Sequence, residues 1–307
     1  MVFHETSLRQ CDQVLDFFLA RLPEQTRKER ISALKQTLLL KSKSETNEGF
    51  PGLFHWKRED KIIGVLYTFL RPDKTILTLP PVVLPDEPPQ TLEVIYDWLI
   101  EHATANHSPV VMMLVDNDQE IDAVCQTRAK FRKISDLLYL VCESGLFPKT
   151  SPAEKLRFVP YTPRDWAKMV DLVEQTYRET KDFPSLNGIC PTESILSSYM
   201  EDHPFIPDLW FFIEYQNRPI GTLILTELEK SKMFELTYMG IVPEFRGKNL
   251  AHEIVAFTKF VAGKHNSERL LVSVDIQNEP AINVYSRHDF QVYDRKEIYA
   301  RFMPKSF

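Results

Sequence analysis

Cysteine is scarce in this chain of 307 residues, with only Cys11, Cys125, Cys142 and Cys190 and no C-x-x-C pair. Such scatter fits reduced, mostly buried thiols and argues against a disulfide framework or a thiolate zinc site. The eight histidines are equally dispersed, none of them three or four residues from another, so no helical pair of imidazole ligands is spelled out. No metal is expected. Long apolar runs are also missing: Val110–Val115 and Leu137–Cys142, the longest, have six residues each, against the ~18 that a membrane span requires. The opening Met1-Val2-Phe3-His4-Glu5 has neither a basic stretch nor an apolar core of the kind that directs secretion, which makes the cytoplasm the default location. Excess basic charge is absent too. With 37 basic and 43 acidic residues the net charge is −6, so a nucleic-acid or anionic-membrane partner has no electrostatic support.

What is present is core-forming material. The chain is 43% hydrophobic, 11% aromatic and 26% charged, a globular composition rather than a disordered or collagen-like one. At ~150 residues per domain, the length suggests two domains.

The two halves carry one plan at an offset of ~158 residues. Phe54–Trp56, the turn Arg58-Glu59-Asp60-Lys61 and Ile62–Tyr67 read as a hairpin, and so do Leu209–Tyr215, Gln216-Asn217-Arg218-Pro219 and Ile220–Leu225. The pairs Ile63-Gly64 and Ile220-Gly221 coincide. Val82–Pro85 then answers to Gly240–Pro243, and each precedes a helix, with the stripe Leu92, Ile95, Leu99 in one and Leu250, Ile254, Phe257, Val261 in the other. Val110–Asp116 matches Leu270–Asp275, and short helices lead to Phe131 and Phe290 before the last strands.

Each half opens on an amphipathic helix. Thr162 reads as N-cap and Pro163 as the first helical residue ahead of Trp166, Met169, Val170, Val173 and Tyr177. In the first half, Ser7 precedes Leu8, Cys11, Val14, Leu15 and Phe18. The turn-rich Ser144–Pro152 is the expected joint, dividing the chain into domains at 1–148 and 155–307. The alternation of strands and helices in each half calls for an α/β fold with a mixed sheet.

Chemistry is written in one half only. The segment from Gly240 to Ala251 passes from a strand into a helix, and unpaired amides at such a helix start, with the positive end of its dipole, suit a pyrophosphate. Arg246 and Lys248 add charge, Gly247 allows close backbone approach, and Ala251 keeps the helix surface small. Taken alone, an Arg-Gly-Lys turn is a weak signal and more often an ordinary solvated loop.

The stretch Arg246-Gly247-Lys248-Asn249-Leu250-Ala251 resembles the acyl-CoA-binding motif R-x-x-G-x-[GA] of the GNAT N-acetyltransferase superfamily, with Asn249 where glycine is usual. Asn278–Phe290 resembles a second motif of that family, N-x-x-A-x-x-[LV]-Y-x-x-x-G-F, with Asp289 in place of glycine. The resemblance covers about residues 155–303, and the first half only in its order of elements. It implies two tandem GNAT-like domains, the first degenerate: its equivalent turn Pro85-Asp86-Glu87-Pro88-Pro89-Gln90 is acidic and short of amide donors, and Gln126 falls where Tyr285 would align. Support, dimerisation or a substrate wall is then the role left to the first half, and a homodimer is compatible with it.

The resemblance further implies an acetyl-CoA-dependent N-acetyltransferase acting on a primary amine of a small molecule or a peptide. Tyr285 is the candidate acid for the departing thiolate, or else a ring packed in the core. Glu235, on the strand before the turn as in the mycothiol synthase branch, is the candidate base, or else a solvated carboxylate; the base position of another branch falls on Ser273. Backbone groups of Met239, Ile241 and Val242 are expected to pair with the pantetheine arm, one of their amides serving as oxyanion donor. Arg246, Gly247, Lys248, Asn249, Leu250, Ala251 and Asn278 complete the expected donor site, and Asp182 and Glu193 are candidates to hold a cationic amine. The other reading is a non-catalytic acyl-CoA sensor or scaffold.

Overall fold

The computed structural model describes residues 1–307 except 8, 29–30, 33–48, 153, 203, 229–231 and 305–307. Leu8, expected on the first helical stripe, lies outside the described residues. The chain forms two compact units: residues Met1–Lys133 with Tyr299–Phe307, and Ile134–Ile298.

The first unit contains β1 (Val2–Ser7), α1 (Cys11–Phe18), β2 (Gly49–Arg58), β3 (Lys61–Leu70), β4 (Ile76–Thr78), β5 (Val82–Val83), α2 (Pro89–Ala105), β6 (Val110–Asp116) and α3 (Ala123–Thr127). Its strands run in the order β1-β2-β3-β4-β6, with β5 on β3. Only β4 and β6 are parallel among these pairs. The α1 stripe is buried through Cys11, Val14, Leu15 and Phe18, and Ile95 and Leu99 bury the face of α2. Tyr299, from the far end of the chain, packs into the same core, and the amide of Met303 donates to the Pro109 carbonyl at 2.9 Å.

The second unit takes β7 (Arg132–Glu143) from Ile134 onward, then β8 (Leu156–Pro160), α4 (Trp166–Tyr177), α5 (Thr192–Asp202), β9 (Trp210–Tyr215), β10 (Arg218–Leu228), β11 (Met233–Ile241), α6 (Leu250–Lys264), β12 (Arg269–Asp275), α7 (Glu279–Arg287) and β13 (Gln291–Phe302) as far as Ile298. The sheet order is β13-β7-β12-β11-β10-β9-β8. The β11–β12 pair is parallel and the other pairs of known register are antiparallel, so the sheet is mixed, as the alternation of elements requires.

Local sequence explains the main elements. The β9–β10 hairpin turns on Gln216-Asn217, with φ of 50° and 60°, the left-handed pair that a two-residue turn needs to match strand twist. Thr162 is extended and Pro163 follows, but they open a 3-10 turn (Pro163–Asp165) rather than α4 itself. The Thr162 hydroxyl donates to the Asp165 carboxylate at 2.6 Å instead of accepting from a backbone amide.

The compact units divide elsewhere than at the turn-rich stretch. Strand β7 closes the first repeat in sequence, yet Leu137–Glu143 matches Asp275–Arg269 of β12 residue for residue over seven pairs. A hydrogen-bonded ladder of that length with Leu138, Leu140 and Cys142 buried in the second core outweighs covalent neighbourhood, because each fully buried large side chain is worth ~1.5–3 kcal/mol.

Candidate functional site

The site begins where two parallel strands part. Pairing of β11 with β12 covers only Met233–Leu236 against Arg269–Val272. Beyond it, among the described residues, β11 continues to Ile241 on β10 alone, and β12 to Asp275 on β7 alone, so a wedge opens between Thr237–Ile241 and Ser273–Asp275. The cause is a β-bulge. Ile224 faces Tyr238 and Leu225 faces Leu236, which leaves Thr237 as an extra residue in β11; a bulge bends its strand and re-aims the residues beyond it. Close packing of α4 shapes the same wall, since a Cβ at Gly240 would lie 2.5 Å from Thr176 Oγ1.

Backbone alternation decides which amides face the wedge. The Val242 amide donates to the Ile220 carbonyl at 2.8 Å and is therefore committed to the sheet, contrary to the expectation that it serves a ligand. Amides one and three residues earlier point the other way along an antiparallel pair, which leaves Met239 and Ile241 to face the opening. The Ile241 carbonyl is taken by Arg246 Nε at 2.9 Å.

The wedge leads to a 3-10 turn (Pro243–Phe245) and then to the start of α6. Gly247 and Asn249 both adopt left-handed backbone, φ 74° and 61°, and Asn is among the few non-glycine residues that tolerate it. Gly247, Lys248 and Asn249 are exposed. Among the described residues their amides have no protein acceptor, and nothing lies within 4 Å of where a Gly247 Cβ would sit. Leu250 packs into the core, while Ala251, half-buried, stands in the first helical turn. The Lys248 ammonium rests 4.4 Å from the centre of the Phe245 ring.

Arg246 has another task than supplying charge to an anion. Its guanidinium donates to the carbonyls of Ile241 (2.9 Å), Glu179 (3.1 Å) and Thr176 (2.8 Å), tying the turn to the end of β11 and the end of α4.

Tyr285, on α7, is 4% exposed, and its ring lies 5.6 Å from that of Phe290. Burial raises its pKa, and the nearby Asp182 carboxyl adds to the rise, so the phenol keeps its proton. Asn278 caps α7 by accepting the Ala281 amide at 3.4 Å, a structural duty. Asp289, standing where the family motif has glycine, takes φ 66° and accepts from the buried Lys259 ammonium at 3.1 Å. Both departures from the motifs thus hold the left-handed backbone that glycine would supply.

A buried carboxylate fixes the mouth of the wedge. Asp275, 0% exposed, accepts from the Ser135 hydroxyl, from the Gln277 amide at 2.9 Å and from the Phe183 amide at 2.9 Å. Phe183 sits at φ 42°, an uncommon conformation for a bulky side chain that its surroundings must impose. Asp182 is exposed as a residue, but its carboxyl turns inward and accepts the Asp275 amide at 3.1 Å. Burial of that carboxyl raises its pKa, against the pull of the Asp275 amide.

Glu235 is half-buried, and burial raises its pKa. It pairs with Leu271, Leu271 with Val141, and Ser273 with Tyr139, so Glu235 and Tyr139 share one face of the sheet across a small serine. Burial, followed by Tyr293 and Glu235, pushes the Tyr139 phenol up to about 12, and the Tyr139 and Tyr293 rings meet edge-on at 6.1 Å. Glu193 is not gathered in. It accepts from the Trp166 indole at 2.9 Å, at the opposite end of α4 from Tyr177, and a 12-residue helix is ~18 Å long.

Sequence reasoning missed Asp275, Thr237 and Tyr139. An acid in a strand and a threonine in an alternating run carry no local signal, and Tyr139 reaches the site only through the pairing of β7 with β12.

Each of the two units carries a mixed sheet, the second with a strand wedge opening onto exposed amides at a helix start, and the fold is that of tandem GNAT structures. Residues 168–290 match the family model described as Acetyltransferase (GNAT) family. Among solved structures, the chain is similar to a GCN5-related N-acetyltransferase from Sphaerobacter thermophilus at 14% identity, with 99% of this chain and 97% of that one covered and a TM-score of 0.62. It is similar also to a tandem GNAT protein from the clavulanic acid biosynthesis pathway at 11% identity, covering 99% and 100%, with a TM-score of 0.52. A functionally unknown conserved protein from Staphylococcus epidermidis ATCC 12228 shares 15% identity over 81% and 94%, with a TM-score of 0.55. No curated protein matches the sequence.

Proposed function

We propose that residues 155–307 form an acetyl-CoA-dependent N-acetyltransferase, acting in the cytoplasm on a primary amine of a small molecule or peptide, and that the first repeat, 1–148, has lost this activity. The observation that carries the reading is the set of acceptor-free amides at Gly247, Lys248 and Asn249, at the end of a wedge that opens just beyond the Leu236–Val272 pair, one residue past Glu235. Amides at a helix start suit the diphosphate, and the free edge of β11 suits the amide-bearing pantetheine arm as an added strand.

The chemistry divides among residues of this chain. The Met239 or Ile241 amide donates to the carbonyl oxygen as it gains charge. A neutral amine attacks the thioester carbon, a C–N bond forms, the C–S bond breaks, and the proton leaving nitrogen ends on sulfur. Glu235, its pKa raised by burial, is a stronger base for the incoming ammonium than an ordinary carboxylate. Tyr285 hydrogen-bonds the departing sulfur. Because burial makes its phenoxide costly, any proton it gives must be replaced within the same turnover by the one the amine loses. Asp182, beside the Asp275 amide, is the better of the two proposed acidic contacts for the amine.

The test is CoA thiol release across a panel of primary amines, repeated with Tyr285→Phe. Turnover should fall ~10²–10⁴-fold with acetyl-CoA affinity unchanged; equal turnover removes Tyr285 from the mechanism. Tight acetyl-CoA binding with no turnover on any amine identifies a sensor instead.

A further inference from the structure

The first unit repeats the wedge without the turn. Its parallel pair β4–β6 covers only Ile76–Thr78 against Val111–Met113, after which the chain leaves β6 and β5 pairs with β3. Beside β5 lies a cavity of about 730 Å³, walled by Phe17, Val82, Leu84, Leu92 and Val124. That volume falls within the ~300–1,000 Å³ of small-molecule sites. The wall is built from the same succession of strand end, helix start and short helix that forms the donor site in the second unit.

A diphosphate does not fit here. Pro85, Pro88 and Pro89 have no amide hydrogen to offer, and Asp86 and Glu87 oppose an anion at the helix start. The two carboxylates on the lining are already engaged. Glu87 is held by Arg58 at 2.9 and 3.0 Å and by the Thr91 hydroxyl at 2.8 Å. Asp122 accepts from the Tyr96 hydroxyl and the Cys125 amide, each at 2.8 Å. Arg21, also on the lining and exposed, has no hydrogen-bond or ion-pair partner among the described residues. Both Asp122 oxygens are taken by the protein, Oδ1 by the Cys125 amide and Oδ2 by the Tyr96 hydroxyl, so the Arg21 guanidinium beside the apolar trough is the charged group of the lining with donors left for a ligand.

We infer that this cavity is a ligand site for a straight-chain monocarboxylate of medium length, its chain against Phe17, Leu84 and Leu92 and its carboxylate on the Arg21 guanidinium. Arg suits a carboxylate because its planar fork can donate two parallel hydrogen bonds. The site is independent of the activity proposed for the second unit.

Calorimetric titration of the full chain with hexanoate, octanoate and decanoate tests it, with octylamine as the charge-reversed control. Affinity should rise up to ~4-fold per added methylene, and octylamine should bind at least ~10-fold more weakly than octanoate. Arg21→Gln, a surface change, should weaken octanoate ~10-fold and leave octylamine unaffected. Ala20→Trp, which fills the cavity, should abolish octanoate binding while acetyl-CoA binding is retained. No heat with decanoate, affinity indifferent to chain length, or octanoate affinity unchanged in Arg21→Gln would overturn the inference. Should Ala20→Trp fail to fold, the chain-length series and Arg21→Gln decide alone.

Discussion

Replacing Asp275 by Asn keeps the shape of the group that braces the mouth of the wedge and removes its charge. The carboxylate receives three donors from three separate segments: the Ser135 hydroxyl, the Gln277 amide and the Phe183 amide. An amide side chain has one acceptor oxygen. With that oxygen toward Phe183, the Ser135 hydroxyl can rotate to accept from Nδ2, but the Gln277 N–H then faces another N–H. One charge-assisted bond is lost, worth ~1.5–3 kcal/mol, and the other two become neutral, for a total of about 2–4 kcal/mol. At an m-value of ~2 kcal/mol/M, the urea midpoint for the second unit should fall by about 1–2 M with the slope unchanged. Releasing Phe183 from φ 42° should also raise the acceptor KM more than it lowers kcat. A loss below ~0.5 kcal/mol would refute the assignment of Asp275 as a buried hub, because surface substitutions stay within that range.

Two further outcomes concern titrating groups. Glu235 acts as a base only when ionised, and burial raises its pKa. The acid limb of kcat/KM should therefore lie above the ordinary carboxylate range and disappear in Glu235→Gln, with activity ~10²–10⁴-fold lower; a limb that survives the substitution excludes it as the base. His55 is fully buried in the first unit, its pKa lowered from 6.5 to about 4, chiefly by burial. The fold holds it neutral while the unfolded chain takes a proton below 6.5, so its contribution is present above that pH and is lost as pH falls toward 4. Roughly 3 kcal/mol of first-unit stability should go over that window. Urea unfolding at several pH values checks this, and a flat profile between pH 6.5 and 4 contradicts it.

Much of the fold was legible because its signals are local. Hairpins read from Arg58–Lys61 and from Gln216–Pro219 lie where β2–β3 and β9–β10 turn, and the apolar stripes of α1, α2 and α6 are the faces they bury. The turn at Gly247–Asn249 was legible for the same reason, since strand, glycine and helix start are written consecutively. What the sequence could not disclose is long-range. Nothing in Arg132–Glu143 says that it will lie beside β12, and so nothing announces Tyr139 or Ser135 at the site. Arg246 reads as charge for a phosphate until the carbonyls of Thr176 and Glu179, some 70 residues earlier, come within reach of it. Val242 reads as a ligand contact until strand parity turns its amide toward Ile220. Glu193 and Asp182 are neighbours in the sequence, but α4 holds Trp166, the partner of Glu193, a helix length from the wedge.

The central claim is that the exposed amides of Gly247–Asn249 hold the diphosphate of the acyl donor. Calorimetric titration of acetyl-CoA into the native chain and into Lys248→Glu tests it directly, since Lys248 is exposed and lies outside the left-handed positions of the turn and the substitution sets a carboxylate against the phosphates. The account predicts saturable binding to the native chain and at least ~10-fold weaker binding to the variant. No binding to the native chain, or equal affinity for both, would contradict it.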